Sequence, residues 1–208
     1  MLKIGVLVSG GGTNLQAIID AINDGRITNG EIAVVISNRK NSFALERARN
    51  NNIDAVHISK KDKTVKEYDH LLINELEQYG VELIVLAGFM CILGEELVGR
   101  FENKIINVHP SLIPSFCGKG YYGLIPHEKA LEYGVKITGA TVHFVELETD
   151  AGPIILQKAV EVMDSDTPES LQQRVMQQAE WKILPQAIDL IANNKIFIDG
   201  GKVVIKDD

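Results

Sequence analysis

Cysteine is scarce in this 208-residue chain: only Cys91 and Cys117 occur, too few for a disulfide framework and without the close spacing of a metal knuckle. Two free thiols and no metal site are expected. Positive charge is also in short supply. Against 21 lysines and arginines stand 28 aspartates and glutamates, for a formal net charge of -7, which argues against nonspecific contact with nucleic-acid phosphates. An anionic small molecule remains admissible, because backbone N–H groups and a few cations hold it locally. No apolar run approaches the roughly 20 residues of a membrane span, and the apolar opening meets glycines too soon for a signal peptide. A reducing, cytoplasmic setting without membrane contact follows as the expectation. Nothing in the pattern separates a dimer face from an ordinary apolar helix stripe, so monomer and homodimer both stand.

With 45% hydrophobic and 24% charged residues, the chain has the composition of a folded domain. Its length suits one unit over 1–208, closed by a C-terminal helix and a small hairpin over about 168–208. Residues 4–8 form a short β-rich run, then comes a glycine loop, and Leu15, Ile18, Ile19 and Ile22 recur at helical spacing. The alternation continues: strand 31–37, helix 43–50, strand 55–58, helix 65–79, strand 83–87 and strand 104–108. Ile84-Val85-Leu86-Ala87 shows no polar alternation, which marks a central parallel strand covered on both faces. The expected fold is α/β: a doubly wound, mostly parallel sheet with helices on both faces.

Residues 110–126 are rich in Gly, Pro and Ser, a loop longer than most connections. Beyond it, 140–145 and 153–162 read as two strands flanking a hairpin-like insertion. Thr167 and Pro168 open a long final helix as N-cap and first helical residue, with its end near Asn193-Asn194. A terminal hairpin over 196–198 and 203–205 turns at Gly200-Gly201.

Gly10-Gly11-Gly12-Thr13-Asn14 lies between the first strand and the first helix. Exposed N–H groups and the helix dipole there favour a bound phosphate, although a tight turn alone also calls for glycine. No Lys follows as in a Walker loop, and Leu15 replaces the third glycine of a dinucleotide fingerprint. Asn107 and His109 bracket Val108 at the end of a strand, so period-two alternation puts both on one side. Carboxyl ends of parallel strands are where open α/β sheets bind ligands. An amide that can donate to an oxyanion, beside an imidazole that can hold a proton, suits acyl transfer. No Ser or Cys stands in a nucleophile elbow, which favours direct attack by the substrate's own amine. Taken alone, His109 could instead cap a turn, and Asp150 in Thr149-Asp150-Ala151-Gly152-Pro153 could be an ordinary turn residue. His143, in the apolar run 141–145, reads as a satisfied core histidine.

Four segments together resemble the phosphoribosylglycinamide formyltransferases of purine biosynthesis, within the folate-dependent formyltransferase family. They are Ser9-Gly10-Gly11-Gly12-Thr13-Asn14-Leu15-Gln16-Ala17, Leu86-Ala87-Gly88-Phe89-Met90, Asn107-Val108-His109-Pro110-Ser111-Leu112-Ile113-Pro114 and Asp150-Ala151-Gly152-Pro153. The resemblance implies formyl transfer from 10-formyltetrahydrofolate to the amine of glycinamide ribonucleotide, without metal. It implies Asn107, His109 and Asp150 as the catalytic set, with Asp150 keeping His109 protonated and aligned. It further implies that Gly12, Thr13 and Asn14 take the substrate phosphate and Glu180 the ribose hydroxyls. Met90, Cys91, Ile92 and Leu93 would line the pterin pocket together with Asn107, Cys91 standing where the family commonly has Arg. Glu180 also reads as a solvated helix residue, and Lys60, Lys61, Lys63 and Lys66 as a solvated basic face beside the place of a folate-tail cation. His127 matches a family histidine outside catalysis, and the stretch 116–124 is a longer version of a family loop that would close over substrate.

Other acceptors within the family, or a noncatalytic phosphate- or nucleotide-binding α/β module, are the competing readings. A methionyl-tRNA formyltransferase is expected to add a tRNA-binding domain and basic surface, and a formyltetrahydrofolate hydrolase a regulatory domain. A 208-residue acidic chain is expected to carry neither.

Overall fold

The structure, a computed structural model, describes residues 1–206; residues 207 and 208 of the expected single unit lie outside the described residues. In chain order the elements are β1 (Leu2–Val8), α1 (Thr13–Asn23), β2 (Gly30–Ser37), α2 (Phe43–Asn50), β3 (Ala55–His57), α3 (Val65–Gln78), β4 (Leu83–Leu86), α4 (Glu95–Arg100) and β5 (Ile105–His109). They continue with α5 (Ile125–Tyr133), β6 (Ile137–Phe144), β7 (Ile154–Glu161), α6 (Pro168–Val175), a π-helical turn (Met176–Glu180), α7 (Trp181–Ala192), β8 (Ile196–Asp199) and β9 (Lys202–Ile205).

Seven strands form one sheet in the order β3-β2-β1-β4-β5-β6-β7. β1 to β5 run parallel, and β6 and β7 are added antiparallel. Chain order reverses between β1 and β4, which opens a crevice at their carboxyl ends. Side chains of the central strands alternate between two cores: Ile4, Val6, Val8, Leu83 and Val85 pack with α1, α2, α6 and α7, while Leu7, Ile84 and Leu86 pack with α3 and α4. Burial on both faces explains why these strands read as unbroken apolar runs. Gly5 marks how closely α3 presses on β1, since a Cβ there would lie 2.7 Å from Leu76 Cδ2.

The expected doubly wound sheet is the fold found, with several local differences. The strands expected at 140–145 and 153–162 are β6 and β7, and they extend the main sheet, β6 pairing with β5 and β7 with β6. The long final helix is interrupted at Met176–Glu180, where the Trp181 N–H reaches back to the Met176 carbonyl. Pro185 lies inside α7 and lacks an N–H for the ladder, and a π-turn one step upstream is the kind of irregularity found at functional sites. The loop after Pro110 ends at α5, and both α4 and α5 escaped the periodicity reading. The terminal hairpin turns on Gly200 and Gly201 at φ 53° and 77°, as a two-residue hairpin turn requires.

Candidate active site

Three segments meet at the carboxyl edge of the sheet: the loop after β1, the stretch after β4 and the end of β5. In the first, α2 grips the loop by its carbonyls. Gly10 O accepts from Ala44 N at 3.1 Å and from Ser42 Oγ at 2.8 Å, and Arg47 Nε donates to Gly11 O at 2.8 Å. Gly12 caps α1 at φ 74° with no side-chain cap, which leaves the first-turn amides of Thr13 and Asn14 available to an anion. A Cβ at Gly12 would lie 2.6 Å from Ala44 Cβ. Both conformation and space therefore demand glycine there.

Glu180, the last residue of the π-turn, is only 6% exposed and accepts a hydrogen bond from Asn14 Nδ2 at 2.7 Å. It is no solvated helix residue. Burial pushes its carboxyl from an ordinary 4.5 up to about 7, against the opposing hydrogen bond from Asn14. Thr13 is tied to the same turn by its Oγ1 contact with Met176 Sδ at 3.8 Å. The π-turn thus seats a carboxyl group beside the glycine loop.

After β4 the chain crosses back to that loop, with Met90 N donating to Ser9 Oγ at 2.8 Å. Met90 and Ile92 are 50% and 65% exposed, whereas Leu93 is buried in the α3–α4 core. A ligand on this segment would meet two apolar side chains and the backbone, and not the Leu93 side chain. Cys91 Sγ accepts from Asn38 Nδ2 at 3.1 Å, and burial raises the thiol pKa while Lys60 opposes the shift. Of the basic cluster, Lys60 reaches the segment, donating to Ile92 O at 3.3 Å; Lys66 instead pairs with Glu96 at 2.7 Å. Asp69 on α3 fixes the end of the stretch by accepting from Gly94 N at 3.0 Å and Leu97 N at 3.3 Å.

Asn107 and His109 share one face of β5, and antiparallel pairing sets His143 opposite Asn107 and Thr141 opposite His109. Thr141 Oγ1 donates to Ser111 O at 2.7 Å and accepts from Ile113 N at 3.1 Å, anchoring the root of the long loop. Asp150, at φ 58°, stands between two histidines: Oδ2 lies 3.5 Å from His109 Nδ1, and Oδ1 lies 3.6 Å from His143 Nε2. Gly152 allows the Asp150 loop to close down, since a Cβ there would lie 2.0 Å from Phe144 O. Asp150 Oδ2 also accepts from Gly118 N at 2.9 Å, and His109 Nε2 donates to Phe116 O at 2.9 Å. The long loop therefore touches both partners of the pair.

Burial lowers the His109 pKa, and Asp150 and the Phe116 carbonyl only partly oppose it. The Phe116 carbonyl only accepts, so Nε2 of His109 carries a proton and Nδ1 is the nitrogen that faces Asp150. Asp150, conversely, is held below its usual range: burial acts to raise it, but the neighbouring His143 and His109 and the Gly118 N–H outweigh burial.

His143 is buried and hydrogen-bonded, as expected of a core histidine, and the antiparallel pairing of β6 with β5 also brings it opposite Asn107. His127 is fully buried on α5 with neither ring nitrogen hydrogen-bonded, and burial followed by His109 lowers its pKa to about 4. It is a neutral wall behind His109. Among the described residues no group of three or more His, Cys, Asp or Glu side chains could hold a metal ion, and no helix is long and apolar enough to cross a membrane.

The model of the formyl transferase family matches residues 2–188. This chain belongs to that family. It is 41% identical over 197 residues to the phosphoribosylglycinamide formyltransferase of Escherichia coli K12, covering 94% of this chain and 89% of that protein. The crystal structure of glycinamide ribonucleotide transformylase 1 from Symbiobacterium toebii superposes with a TM-score of 0.93 at 46% identity, over 100% of this chain and 95% of that one. Against the chloroplastic phosphoribosylglycinamide formyltransferase of Arabidopsis thaliana, identity is 37% over 93% of this chain, which spans 66% of that longer relative.

Proposed function

We propose that this chain transfers the formyl group of 10-formyltetrahydrofolate to the glycinamide amine of N1-(5-phospho-D-ribosyl)glycinamide, a step of de novo purine biosynthesis. The observation that carries the proposal is the meeting of an uncapped glycine-loop helix terminus with the Asn107, His109 and Asp150 cluster at one crevice of the sheet. Family relatives at 41% identity bear the matching name.

Each part of the crevice fits one part of the reactants. The amides after Gly12 suit a phosphomonoester, and the Glu180 carboxylate, ionised, suits vicinal ribose hydroxyls. Exposed Met90 and Ile92 suit a flat pterin, and Lys60 at the same segment suits an anionic folate tail. The amine lone pair attacks the formyl carbon, and the carbonyl electrons move to oxygen. Asn107 Nδ2 donates to that oxyanion. The attacking nitrogen gives its proton to His109 Nδ1, and Asp150 stabilises the imidazolium formed. Collapse of the oxyanion breaks the bond to the folate nitrogen, which recovers the proton from His109. Protons and electron pairs balance without an enzyme nucleophile or metal. The two free thiols, Cys91 and Cys117, fit a reducing cytoplasmic setting.

Replacing Asp150 by Asn tests the reading. Turnover with both substrates should collapse while calorimetric affinity for glycinamide ribonucleotide stays near wild type, because Asp150 acts on the proton and not on the acceptor. Equal loss of affinity and turnover, or a wild-type chain that binds both substrates and turns over neither, contradicts it.

A further inference from the structure

To meet ribose hydroxyls, Glu180 must keep one carboxyl oxygen turned toward the crevice. A long, freely rotating side chain does this only if another group holds it. Among the described residues, the one hydrogen bond to its carboxyl comes from Asn14 Nδ2, which lies 2.7 Å from Oε2 and 166 residues away in the chain. Burial and this bond are the two influences on its proton affinity, and no charged neighbour acts on it. Asn14 in turn is 8% exposed, and its Oδ1 is buried without a hydrogen-bond partner. Its side chain therefore serves Glu180 and nothing else. Two apolar side chains of the same shape would pack there without leaving a polar atom unpaired, so stability alone does not call for this pair. Neither protonation state of Glu180 dissolves the contact: the amide NH2 donates to the carboxylate, and the amide turned over accepts from the acid.

We infer that Asn14 is a positioning residue for the ribose contact: its side chain fixes Glu180 through Oε2 and leaves Oε1 to the vicinal hydroxyls of the phosphoribosyl acceptor. This rests on the ribose role given to Glu180 above. Asn14 is the second residue of α1, directly beyond the uncapped terminus at Gly12, so its backbone amide faces the phosphate while its side chain faces the π-turn. Thr13 Oγ1, 3.8 Å from Met176 Sδ, ties the same two elements a second time. One residue thereby sets the spacing between the phosphate and ribose contacts, and the site favours a ligand carrying both groups over one carrying phosphate alone.

Three measurements on the full chain test this. In wild type, the Asn14 side-chain amide resonances should titrate together with the Glu180 13Cδ resonance; a Glu180 that titrates without moving them overturns the inference whether or not any variant folds. Asn14→Ala should raise the KM for glycinamide ribonucleotide about fivefold or more with kcat nearly kept. It should also move the Glu180 midpoint upward, since the bond from Asn14 opposes burial, and leave the affinity for inorganic phosphate within about twofold, because the glycine-loop amides remain. In a Glu180→Ala background the same substitution should cost less than about twofold further in KM. Equal losses in both backgrounds, or a parallel loss of inorganic phosphate affinity, overturn the positioning role while leaving the ribose reading intact. An acceptor KM unchanged in Glu180→Ala alone would instead overturn the ribose reading and this inference with it.

Discussion

The two ends of the crevice are built from different materials. At the glycine loop the working groups are backbone amides, set by Gly12 at φ 74° against Ala44 and by carbonyls gripped from α2. At the β5–β6 pair the working groups are side chains brought together from separate segments: Asn107 lies against the His143 side chain, His109 against the Phe116 carbonyl and Asp150 against the Gly118 amide. A backbone site is written into a short contiguous stretch of chain. A side-chain network depends on which strands happen to pair, so its members are scattered through the sequence.

Breaking the network should therefore cost rate, and breaking the loop should cost binding and stability. Asn107→Ala carries the largest expected effect, a fall in kcat of about 10²–10³-fold with nearly unchanged KM for the acceptor; a rise in KM alone would erase the distinction between the two ends. Glu180→Gln acts at the binding end. It should raise the acceptor KM by about tenfold through loss of a charged acceptor for the ribose hydroxyls, with kcat largely kept.

The same substitution has a signature in pH. Because burial lifts the Glu180 pKa from 4.5 to about 7, the native state binds that proton more tightly than the unfolded chain does. Its contribution to stability is complete below about pH 4.5 and is lost as pH rises through 7. Glu180→Gln should therefore gain about 1–3 kcal/mol relative to wild type at pH 8 and little at pH 5, read from urea unfolding at the two pH values. A gain of the same size at both would show that charge burial is not the cause.

Gly12→Ala should cost about 1–2 kcal/mol of stability from its left-handed backbone and its clash with α2, together with weaker phosphate binding. Cys91→Ala should be the mildest, within about threefold in the donor KM, since the thiol is a half-buried partner of Asn38 and the segment meets a ligand mainly through backbone and its exposed neighbours. A large effect there would move the donor contact onto the Cys91 side chain.

The same division decided what could be read from sequence. The glycine loop, the apolar central strands and the shared face of Asn107 and His109 were legible because each rests on local chemistry or on period-two alternation. The pairing of β6 with β5 was not, since the local pattern of an antiparallel strand does not say which neighbour it joins; with it went the placement of His143 opposite Asn107 and of Thr141 opposite His109. The π-turn was hidden because Leu171, Val175, Ala179 and Ile183 keep helical spacing straight through it, Pro185 being its one outward sign.

The central claim is that the formyl group moves to an amine and not to water or nowhere. Incubating the wild-type protein with glycinamide ribonucleotide and a 13C-formyl-labelled folate donor, and following the label by NMR, measures this directly. The account predicts an amide-bound formyl resonance that grows with turnover and requires the acceptor. Label appearing as free formate regardless of acceptor, or remaining on the folate while both ligands are bound, would contradict it.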